Sequence, residues 1–332
     1  MNYPNRRDVL KTLGALAALP MASAAAASTP SVLPLRPLGK SGVDVTAFCL
    51  GGHHVERAGG EAASDAVIQT ALECGVRFFD NARNYASGRA EELYGKFLIP
   101  KHRDKVFLMT KSTGKTAAAV NRDLEASLKA MRTDHLDLWQ IHSIQSPEDV
   151  DARLKEGVLD AFLQAKASGK TRFIGFTGHT SQAAHLHMLA ELEKRGLDLD
   201  ACQMPINLVD PHYDSFITHV LPVLVQRRYG ILAMKTLVFG RLLGAGPEEH
   251  RKRHGATRSL TDEGVSLADM FRYVYSLPIT SLVSGCESPA QVKENTDILR
   301  AYQPMDAATR EALVAKAAAF AGPNMEYYKR VL

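Results

Sequence analysis

Short apolar runs recur along the chain, and segments with helical periodicity separate them. The runs are four to six residues long, are rich in residues that favour strands, and end at polar or loop-forming residues. We count eight such runs: Thr46 to Gly51, Arg77 to Asn81, Lys105 to Thr110, Leu136 to Ile141, Thr171 to Phe176, Ala201 to Pro205, Gly230 to Met234 and Ser281 to Ser284. Eight strands that alternate with helices predict an α/β fold, a parallel (β/α)8 TIM barrel closed on itself.

Two segments flank this alternation. Leu33 to Val45 is punctuated by Pro and Gly and is expected to form an N-terminal hairpin, while the residues from Pro304 onward form a C-terminal tail. A chain of 332 residues that is 45% hydrophobic and 23% charged can bury one large core. We therefore predict a single barrel domain over residues 33–332.

The first residues are not expected to belong to the barrel. Asn5 to Lys11 resembles a twin-arginine export signal, and an apolar stretch, Thr12 to Met21, and a small-residue tract, Ala22 to Ser28, follow it. The apolar stretch is shorter than the roughly 20 residues that a bilayer span needs, and Pro20 interrupts it. We predict that residues 1–27 are a signal peptide read by the twin-arginine machinery. The mature protein is then periplasmic or otherwise exported and not membrane-bound, with anchoring by an uncleaved signal as the alternative.

Charge and cysteine content argue against several classes of protein. Residues 1–27 carry three basic residues and one acidic residue, so their loss lowers the formal net charge from +4 to +2, too little to favour nucleic acid as a partner. The four cysteines lie in or beside apolar runs and are expected to be buried small hydrophobes, and no pair has C-x-x-C spacing. His185 and His187 diverge by about 200° on a predicted helix. We therefore predict no metal site.

Polar residues end three consecutive apolar runs. The second run ends in Asp80, with Tyr85 in the loop after it, the third leads into Lys111, and the fourth leads into His142. Taken singly, each has an ordinary explanation as a helix cap, a solvated strand end or a packed loop residue. Because the carboxyl ends of barrel strands meet at the face that carries active sites, their occurrence on three neighbouring strands favours a shared site.

These four side chains suit the proton-transfer half of a carbonyl reduction. The Lys111 ammonium is expected to lower the pKa of Tyr85 from about 10, and Asp80 to hold that ammonium in place. His142 can hydrogen-bond the same substrate oxygen, and a cofactor must supply the hydride. Two alternatives stay open: a nucleotide-binding sensor or interaction subunit without significant turnover, and a Schiff-base lyase that uses Lys111 or Lys235.

Five motifs occur in order along the chain: GVRFFDNARNY, TKS, LDLWQIHS, GKTRFIGFTGH and CQMPINL. Together they resemble the aldo-keto reductase superfamily, from about Leu33 to about Leu299. The resemblance implies an NAD(P)-dependent oxidoreductase on a (β/α)8 barrel, with a small carbonyl or alcohol substrate. It also implies a catalytic tetrad of Asp80, Lys111, His142 and the general acid/base Tyr85.

The resemblance further assigns a cofactor site to the later strands. The family's Ser-Asn pair and Gln that hold the nicotinamide carboxamide correspond to Thr177, Gly178 and Gln203, with His179 as the substitute for the missing amide. Met234 is expected to stack on nicotinamide, and Lys235 to face the phosphates. Around the adenosine end the matching positions are Gly285, Glu287, Gln291, Glu294 and Asn295.

NADP is the family's default cofactor, but the loop after the eighth strand lacks the Lys or Arg that would pair with its 2′-phosphate. Glu287 would repel that phosphate and could accept a ribose 2′-hydroxyl, so we predict NADP or NAD. The basic segment Arg251 to Arg258 is interpreted as a solvated loop, with phosphate binding as its alternative role. His53 and His54 are expected at the barrel rim, against substrate or solvent.

The loop after the seventh strand and the C-terminal tail are expected to shape the substrate pocket. Arg241 to Gly246, Tyr327 and Tyr328 are the residues predicted to form its walls.

Overall fold

The computed structural model describes residues 32–245, 248, 252 and 258–330. The predicted signal peptide and most of the Arg251 to Arg258 segment lie outside the described residues. The described part belongs to one compact unit. It begins with the expected hairpin, in which β1, Leu35–Pro37, pairs antiparallel with β2, Asp44–Thr46.

Eight parallel strands follow and close into a barrel in chain order, with the last strand paired to the first. The predicted (β/α)8 barrel is therefore confirmed. The strands are β3 Phe48–Gly51, β4 Phe78–Asp80, β5 Phe107–Ser112, β6 Leu136–Ile141, β7 Thr171–Thr177, β8 Ala201–Pro205, β9 Gly230–Met234 and β10 Ser281–Gly285.

Helices cover the outside of the barrel, and many begin at a Ser or Thr whose side chain accepts a hydrogen bond from a backbone N–H of the first turn. No helix in the described ranges is long and apolar enough to cross a membrane. The helices are α1 Gly52–Val55, α2 Glu61–Glu73, α3 Arg89–Phe97, α4 Ile99–His102, α5 Ala117–Met131, α6 Pro147–Lys155, α7 Val158–Ala167, α8 Gln182–Lys194, α9 Phe216–His219, α10 Leu221–Gln226, α11 Leu267–Tyr275, α12 Pro289–Arg300 and α13 Ala307–Ala317.

The core has two layers because successive side chains of a strand point to opposite faces. Phe78 points into the barrel, where its ring meets Phe107 edge-on at 4.9 Å, whereas Phe79 points outward to Tyr94 at 5.9 Å. Burial of each such side chain contributes about 1.5–3 kcal/mol. Asp80 lies on the same inner strand face as Phe78. Because it is the last residue of the strand, its carboxylate lies at the carboxyl-terminal mouth of the barrel.

Two predicted strands began two residues too early. The first was expected from Thr46, but Thr46 ends β2 and the barrel strand begins at Phe48. Lys105 to Thr110 was the expected third strand, but Arg103–Lys105 forms a turn of 3-10 helix and the strand runs from Phe107 to Ser112. Lys111 consequently lies within the strand, where the neighbouring backbones fix its position. The cysteines are free; Cys49, Cys202 and Cys286 are buried, as expected, and Cys74 is half-buried.

Candidate active site

A cavity of about 290 Å³ opens at the carboxyl ends of the barrel strands. Each of the eight strands, or the residue directly after it, contributes to the wall. Those contributions are Gly51, Asp80, Lys111, His142, Thr177, Gln203, Met234 and Gly285. The cavity therefore brings together the four residues of the predicted tetrad and part of the predicted cofactor site.

Lys111 is the centre of the polar contacts on the floor of this cavity. Its Nζ donates to Asp80 Oδ1, to the Asn81 carbonyl oxygen at 2.7 Å and to Tyr85 Oη at 3.4 Å. Burial opposes the charge, but Asp80 and Tyr85 outweigh it and raise the pKa of Lys111 above its ordinary value. The side chain is thus a fixed ammonium that touches both an acid and a phenol.

Tyr85 projects from a tight turn after β4. Ala86 and Ser87 have φ values of 46° and 53°, a left-handed backbone that is uncommon for residues other than glycine. The Tyr85 ring meets His142 and His53 edge-on, at centroid distances of 5.9 Å and 5.1 Å. Burial raises the pKa of Tyr85 above 10, against the attraction of Lys111. Our expectation of a lowered pKa was wrong, because the loss of solvent outweighs the ammonium.

His142 directly follows β6, and its ring centre lies 5.9 Å from that of Tyr85. Burial and the positive charge of Lys111 hold its pKa well below its ordinary value, so the imidazole is neutral around pH 7. The buried Nδ1 of His142 has no hydrogen-bond partner within the described residues. A neutral imidazole beside a phenol can direct a substrate oxygen without competing as an acid.

Three groups that suit a carboxamide line the adjoining wall: Thr177, His179 and Gln203. The Gln140 side chain donates to Gln203 Oε1 at 3.1 Å, which leaves the NH2 group of Gln203 for a ligand. His179 Nδ1 lies 3.2 Å from the Tyr328 carbonyl oxygen. Burial and Lys235 lower the pKa of His179 to about 3.

Gly178, which was also predicted to contact the cofactor, does not line the cavity. A Cβ added there would lie 2.5 Å from the Ile144 carbonyl oxygen and 3.0 Å from His185 Cε1. The backbone of the loop after β6 occupies the space that a side chain would need. The polar side chain is displaced by one residue, to His179.

Met234 and Lys235, at the end of β9, both line the cavity. Lys235 has a left-handed backbone, with a φ of 59°, and its Nζ lies 3.8 Å from the centre of the Phe239 ring. No carboxylate in the described part of the chain forms an ion pair with Lys235. Burial and the charge of Lys111 lower its pKa to about 7.

The residues expected around adenosine lie at the outer edge of the site. Gly285 lines the cavity, but Glu287, Gln291, Glu294 and Asn295 do not. Gln291 Oε1 accepts from the Glu287 backbone N–H at 2.7 Å, and Glu294 is exposed. Buried Asn295 was expected to contact adenine, yet its amide donates to Ser284 Oγ at 3.2 Å and Cys286 Sγ at 3.4 Å. It braces the end of β10 from within the protein.

His53 and His54 line the cavity at its rim, where the sequence placed them. His54 packs on the Cα of Gly285, because an added Cβ there would lie 1.9 Å from His54 Nδ1. Burial and the neighbouring His53 lower the pKa of His54 to about 3. Both the first and the last barrel strands therefore shape this rim.

The predicted pocket walls are only partly where we expected them. Arg241 is buried and donates to the Asn324 carbonyl oxygen at 3.2 Å, so it holds the tail and does not line the cavity. Tyr327 stacks on Phe239 at 5.9 Å, and Tyr328 packs against His179 at 5.7 Å. The tail thus reaches the site through Phe239 and His179.

Sequence reasoning missed several residues of the site. Asn84, Ser143 and Phe239 line the cavity, and Gln140 orients Gln203. The signal for Gln140 was present, because the period-2 rule places it on the same strand face as His142. Ser143 and Phe239 have φ values of 60° and 55°, and no sequence pattern indicated those loop conformations.

The divergence of His185 and His187 is as expected. His185 is buried and its Nδ1 lies 3.1 Å from the Ser181 carbonyl oxygen. His187 is near the surface, where its ligand atom and those of Asp151 and Glu191 lie within 4.8 Å of one another. Those groups are engaged already, His187 with Asp151 at 2.7 Å and Glu191 with two basic side chains.

Comparison with known proteins decides the family. The model of the aldo/keto reductase family matches residues 47–314. The chain belongs to this family. It is therefore an NAD(P)-dependent oxidoreductase, as the motif resemblance implied.

Two curated relatives illustrate the range of the similarity. L-galactose dehydrogenase of Arabidopsis thaliana is 27% identical over 287 residues, which cover 79% of this chain and 87% of the relative. A putative voltage-gated potassium channel subunit beta of Schizosaccharomyces pombe is 25% identical over 338 residues, with 88% and 95% covered. An aldo-keto reductase of Bacillus halodurans, solved in its holo form, superposes with a TM-score of 0.71 at 19% identity and covers 89% of this chain and 99% of its own. The last comparison concerns the fold.

The cavity wall fits a nicotinamide cofactor. The free NH2 of Gln203 and the ring of His179 offer a donor and an acceptor to a carboxamide, and Lys235 offers positive charge to a diphosphate. These groups lie beside Tyr85 and His142 in one cavity, as a hydride transfer next to a proton transfer requires.

Proposed function

We propose that this protein catalyses reversible carbonyl reduction with Tyr85 as the general acid and base. The observation that carries the proposal is the contact of Lys111 Nζ with both Asp80 Oδ1 and Tyr85 Oη, with the His142 ring edge-on to that of Tyr85. A bound nicotinamide cofactor would supply or accept the hydride. In the reducing direction, Tyr85 Oη gives its proton to the carbonyl oxygen, and a proton from solvent later restores the phenol.

The other three residues support that proton transfer. Lys111 stabilises the phenolate that remains on Tyr85, and Asp80 keeps the ammonium charged and oriented. His142 hydrogen-bonds the substrate oxygen and fixes the direction from which the proton arrives. Burial raises the pKa of Tyr85 and Lys111 opposes that shift, so the phenol is protonated before reaction and the ammonium favours release of its proton.

Replacement of Tyr85 by Phe tests the proposal. We expect kcat to fall about 10²- to 10⁴-fold, the usual contribution of a positioned acid, while cofactor affinity stays the same. Tyr302→Phe is the matched control, because it removes a hydroxyl that donates to the Tyr275 carbonyl oxygen at 2.9 Å, outside the site. Unchanged turnover in Tyr85→Phe would contradict the assignment of Tyr85.

The channel-subunit relative gives the sensor alternative its specific support. In that case the nucleotide binds and the biological effect does not depend on turnover, so Tyr85→Phe would keep the effect in cells. The buried, weakly basic amine of Lys235 supports the Schiff-base alternative. Borohydride reduction in the presence of a carbonyl substrate would then trap a covalent adduct at Lys235.

We propose a small hydroxylated carbonyl compound, or the corresponding alcohol, as the substrate. Hydrogen-bonding side chains, namely His53, His54 and Asn84, line the cavity together with the ring of Phe239. Such a mixture suits several hydroxyl groups and an apolar ring face, and one relative carries the name L-galactose dehydrogenase. Activity should be higher with aldoses than with benzaldehyde at equal concentration, and the reverse order would refute this substrate class.

For the cofactor, we propose that Glu287 disfavours the 2′-phosphate of NADP. Glu287 is exposed at the end of β10, with Arg57 Nε 3.7 Å from its carboxylate. Glu287→Lys should raise the ratio of NADPH to NADH affinity about tenfold, which corresponds to about 1.4 kcal/mol. Titration by cofactor fluorescence measures both affinities, and a ratio that does not change would place the adenosine ribose elsewhere.

We also propose that residues 1–27 direct export through the twin-arginine pathway, which carries the mature enzyme out of the cytoplasm. The support is the Asn5 to Lys11 motif. Replacement of Arg6 and Arg7 by Lys should retain the protein in the cytoplasm of a bacterial host, as measured by cell fractionation. Export that continues in this double variant would refute the pathway.

A further inference from the structure

We propose that the C-terminal tail positions His179 for the nicotinamide carboxamide. A buried ion cluster around Lys329 fixes the tail, and the Tyr328 carbonyl oxygen fixes the His179 ring so that its Nε2 faces the cavity as an acceptor. This inference rests on the proposed function, because it concerns the same cofactor site. It assigns a positioning role to a segment more than 140 residues away in sequence.

His179 carries its hydrogen on Nδ1. A carbonyl oxygen only accepts hydrogen bonds, so the contact of 3.2 Å with the Tyr328 carbonyl oxygen requires a hydrogen on Nδ1. The ring is neutral around pH 7, because burial and Lys235 lower its pKa to about 3. Nε2 therefore carries no hydrogen. Since His179 lines the cavity, Nε2 is the nitrogen that remains for a ligand.

Together with Gln203, the acceptor Nε2 of His179 complements a carboxamide. Gln203 Oε1 is occupied by Gln140, so Gln203 presents its NH2 group as a donor. A primary carboxamide offers a carbonyl oxygen and an NH2 group, and the pair of Gln203 and His179 complements both. Gly178 cannot supply the acceptor, because the Ile144 carbonyl oxygen fills the space for a side chain.

Buried ion pairs of Lys329 hold the neighbouring Tyr328 in place. The Nζ of Lys329 lies 2.8 Å from Asp210 Oδ1 and 2.9 Å from Glu326 Oε1, and the three side chains are completely buried. The same Nζ donates to the Tyr213 carbonyl oxygen at 2.5 Å. Removal of the ammonium leaves buried carboxylates without compensation. We therefore expect the tail to move when Lys329 is neutralised, and the Tyr328 carbonyl to leave His179.

Tyr328 adds a second connection between the cluster and the site. Its hydroxyl donates to Glu326 Oε1 at 2.8 Å and accepts from Asn207 Nδ2 at 3.0 Å, while its ring packs edge-on against His179. The residue is thus held at both its side chain and its backbone. This arrangement limits rotation of the His179 ring, which a correctly directed acceptor requires.

The test compares ligands that contain nicotinamide with ligands that lack it. Affinities for NADPH, NADH, ADP-ribose and 2′-phospho-ADP-ribose are measured for the full chain and for His179→Leu, His179→Gln and Lys329→Met. Arg330→Met is the matched control, because Arg330 is the neighbouring tail residue and is exposed. In parallel, ¹⁵N-histidine spectra identify which nitrogen of His179 carries the hydrogen, with His179→Gln providing the assignment.

We expect His179→Leu and Lys329→Met to weaken dinucleotide binding about 3- to 10-fold, as for the loss of one hydrogen bond, and to leave the ADP-ribose ligands unaffected. His179→Gln keeps an acceptor and should recover most of the affinity. The wild-type spectrum should show a hydrogen on Nδ1, and Lys329→Met should show a mixture of the two tautomers.

Several results would overturn the inference while the proposed function stands. These are dinucleotide binding that does not change in the variants, an equal loss for the ADP-ribose ligands, and a hydrogen on Nε2 in the wild-type spectrum. The last of these is decisive even if Lys329→Met does not fold. A wild-type chain that binds neither dinucleotide would overturn the proposed function and this inference together.

Discussion

The two halves of the barrel mouth differ in whether their charged side chains form ion pairs and hydrogen bonds with one another. Between β4 and β6, Lys111 joins Asp80 to Tyr85, and His142 flanks the pair. Between β7 and the loop after β10, Lys235 lies over an aromatic ring without a carboxylate partner in the described chain, and Glu287 is exposed, with Arg57 Nε 3.7 Å from its carboxylate. The proton-transfer groups are thus assembled before a ligand arrives, whereas the cofactor half is shaped to be completed by one.

The largest expected effect would come from breaking the assembled half. Lys111→Met should lower kcat by about 10²- to 10⁴-fold, because Tyr85 loses the charge that stabilises its phenolate. It should also reduce the free energy of unfolding by about 3–5 kcal/mol, since Asp80 becomes a buried charge without a partner. Steady-state kinetics and urea unfolding measure the two effects.

Lys105→Met is the matched control, since Lys105 is exposed just before the same strand. If Lys111→Met turns over as fast as this control, the contacts of Lys111 with Asp80 and Tyr85 are not needed for proton transfer.

A smaller effect on stability tests whether tight packing explains why residue 178 is Gly and the polar side chain is that of His179. Gly178→Asn restores the residue type that the family resemblance implies, yet the added side chain would meet the Ile144 carbonyl oxygen. We expect a loss of about 1–3 kcal/mol in the free energy of unfolding, the usual cost of overpacking. Gly169→Asn should cost less, because Gly169 has nothing within 4 Å of an added Cβ and Asn tolerates its φ of 78°. If urea unfolding shows the same loss of unfolding free energy for both variants, a steric clash at residue 178 is refuted.

The last effect concerns the pH dependence of stability and binding that Lys235 causes. Its pKa in the protein without ligand is lowered to about 7, so the unfolded chain binds more protons between about pH 7 and 10.5. The contribution of Lys235 to stability should therefore rise with pH across that window, and Lys235→Met should flatten the profile.

Cofactor affinity should change in the opposite direction. A diphosphate attracts the charged amine, so affinity falls as Lys235 loses its proton above about pH 7. Lys235→Arg keeps the charge and should bind equally well from pH 7 to 9 in fluorescence titrations. If the wild-type affinity is also constant over that range, Lys235 does not face the diphosphate.

Much of the architecture and of the proton-transfer half could be predicted from the chain itself. Asp80 ends one apolar strand and His142 directly follows another, and strand ends in a closed parallel barrel converge on one face. The cofactor half was harder, because it depends on loops. Gly178 and Asn295 were predicted to contact the cofactor from their place in a motif, but one lies behind the wall and the other braces β10.

The sequence alone determined the strand order, the barrel and the placement of Asp80, Lys111 and His142, since periodicity and strand ends are local properties of the chain. Only the tertiary structure decided the direction in which the pKa of Tyr85 shifts, because burial outweighs the ammonium there. It also decided that His179 meets the Tyr328 carbonyl, a contact between distant segments. Desolvation and long-range packing depend on what surrounds a residue in space, which a linear pattern does not contain.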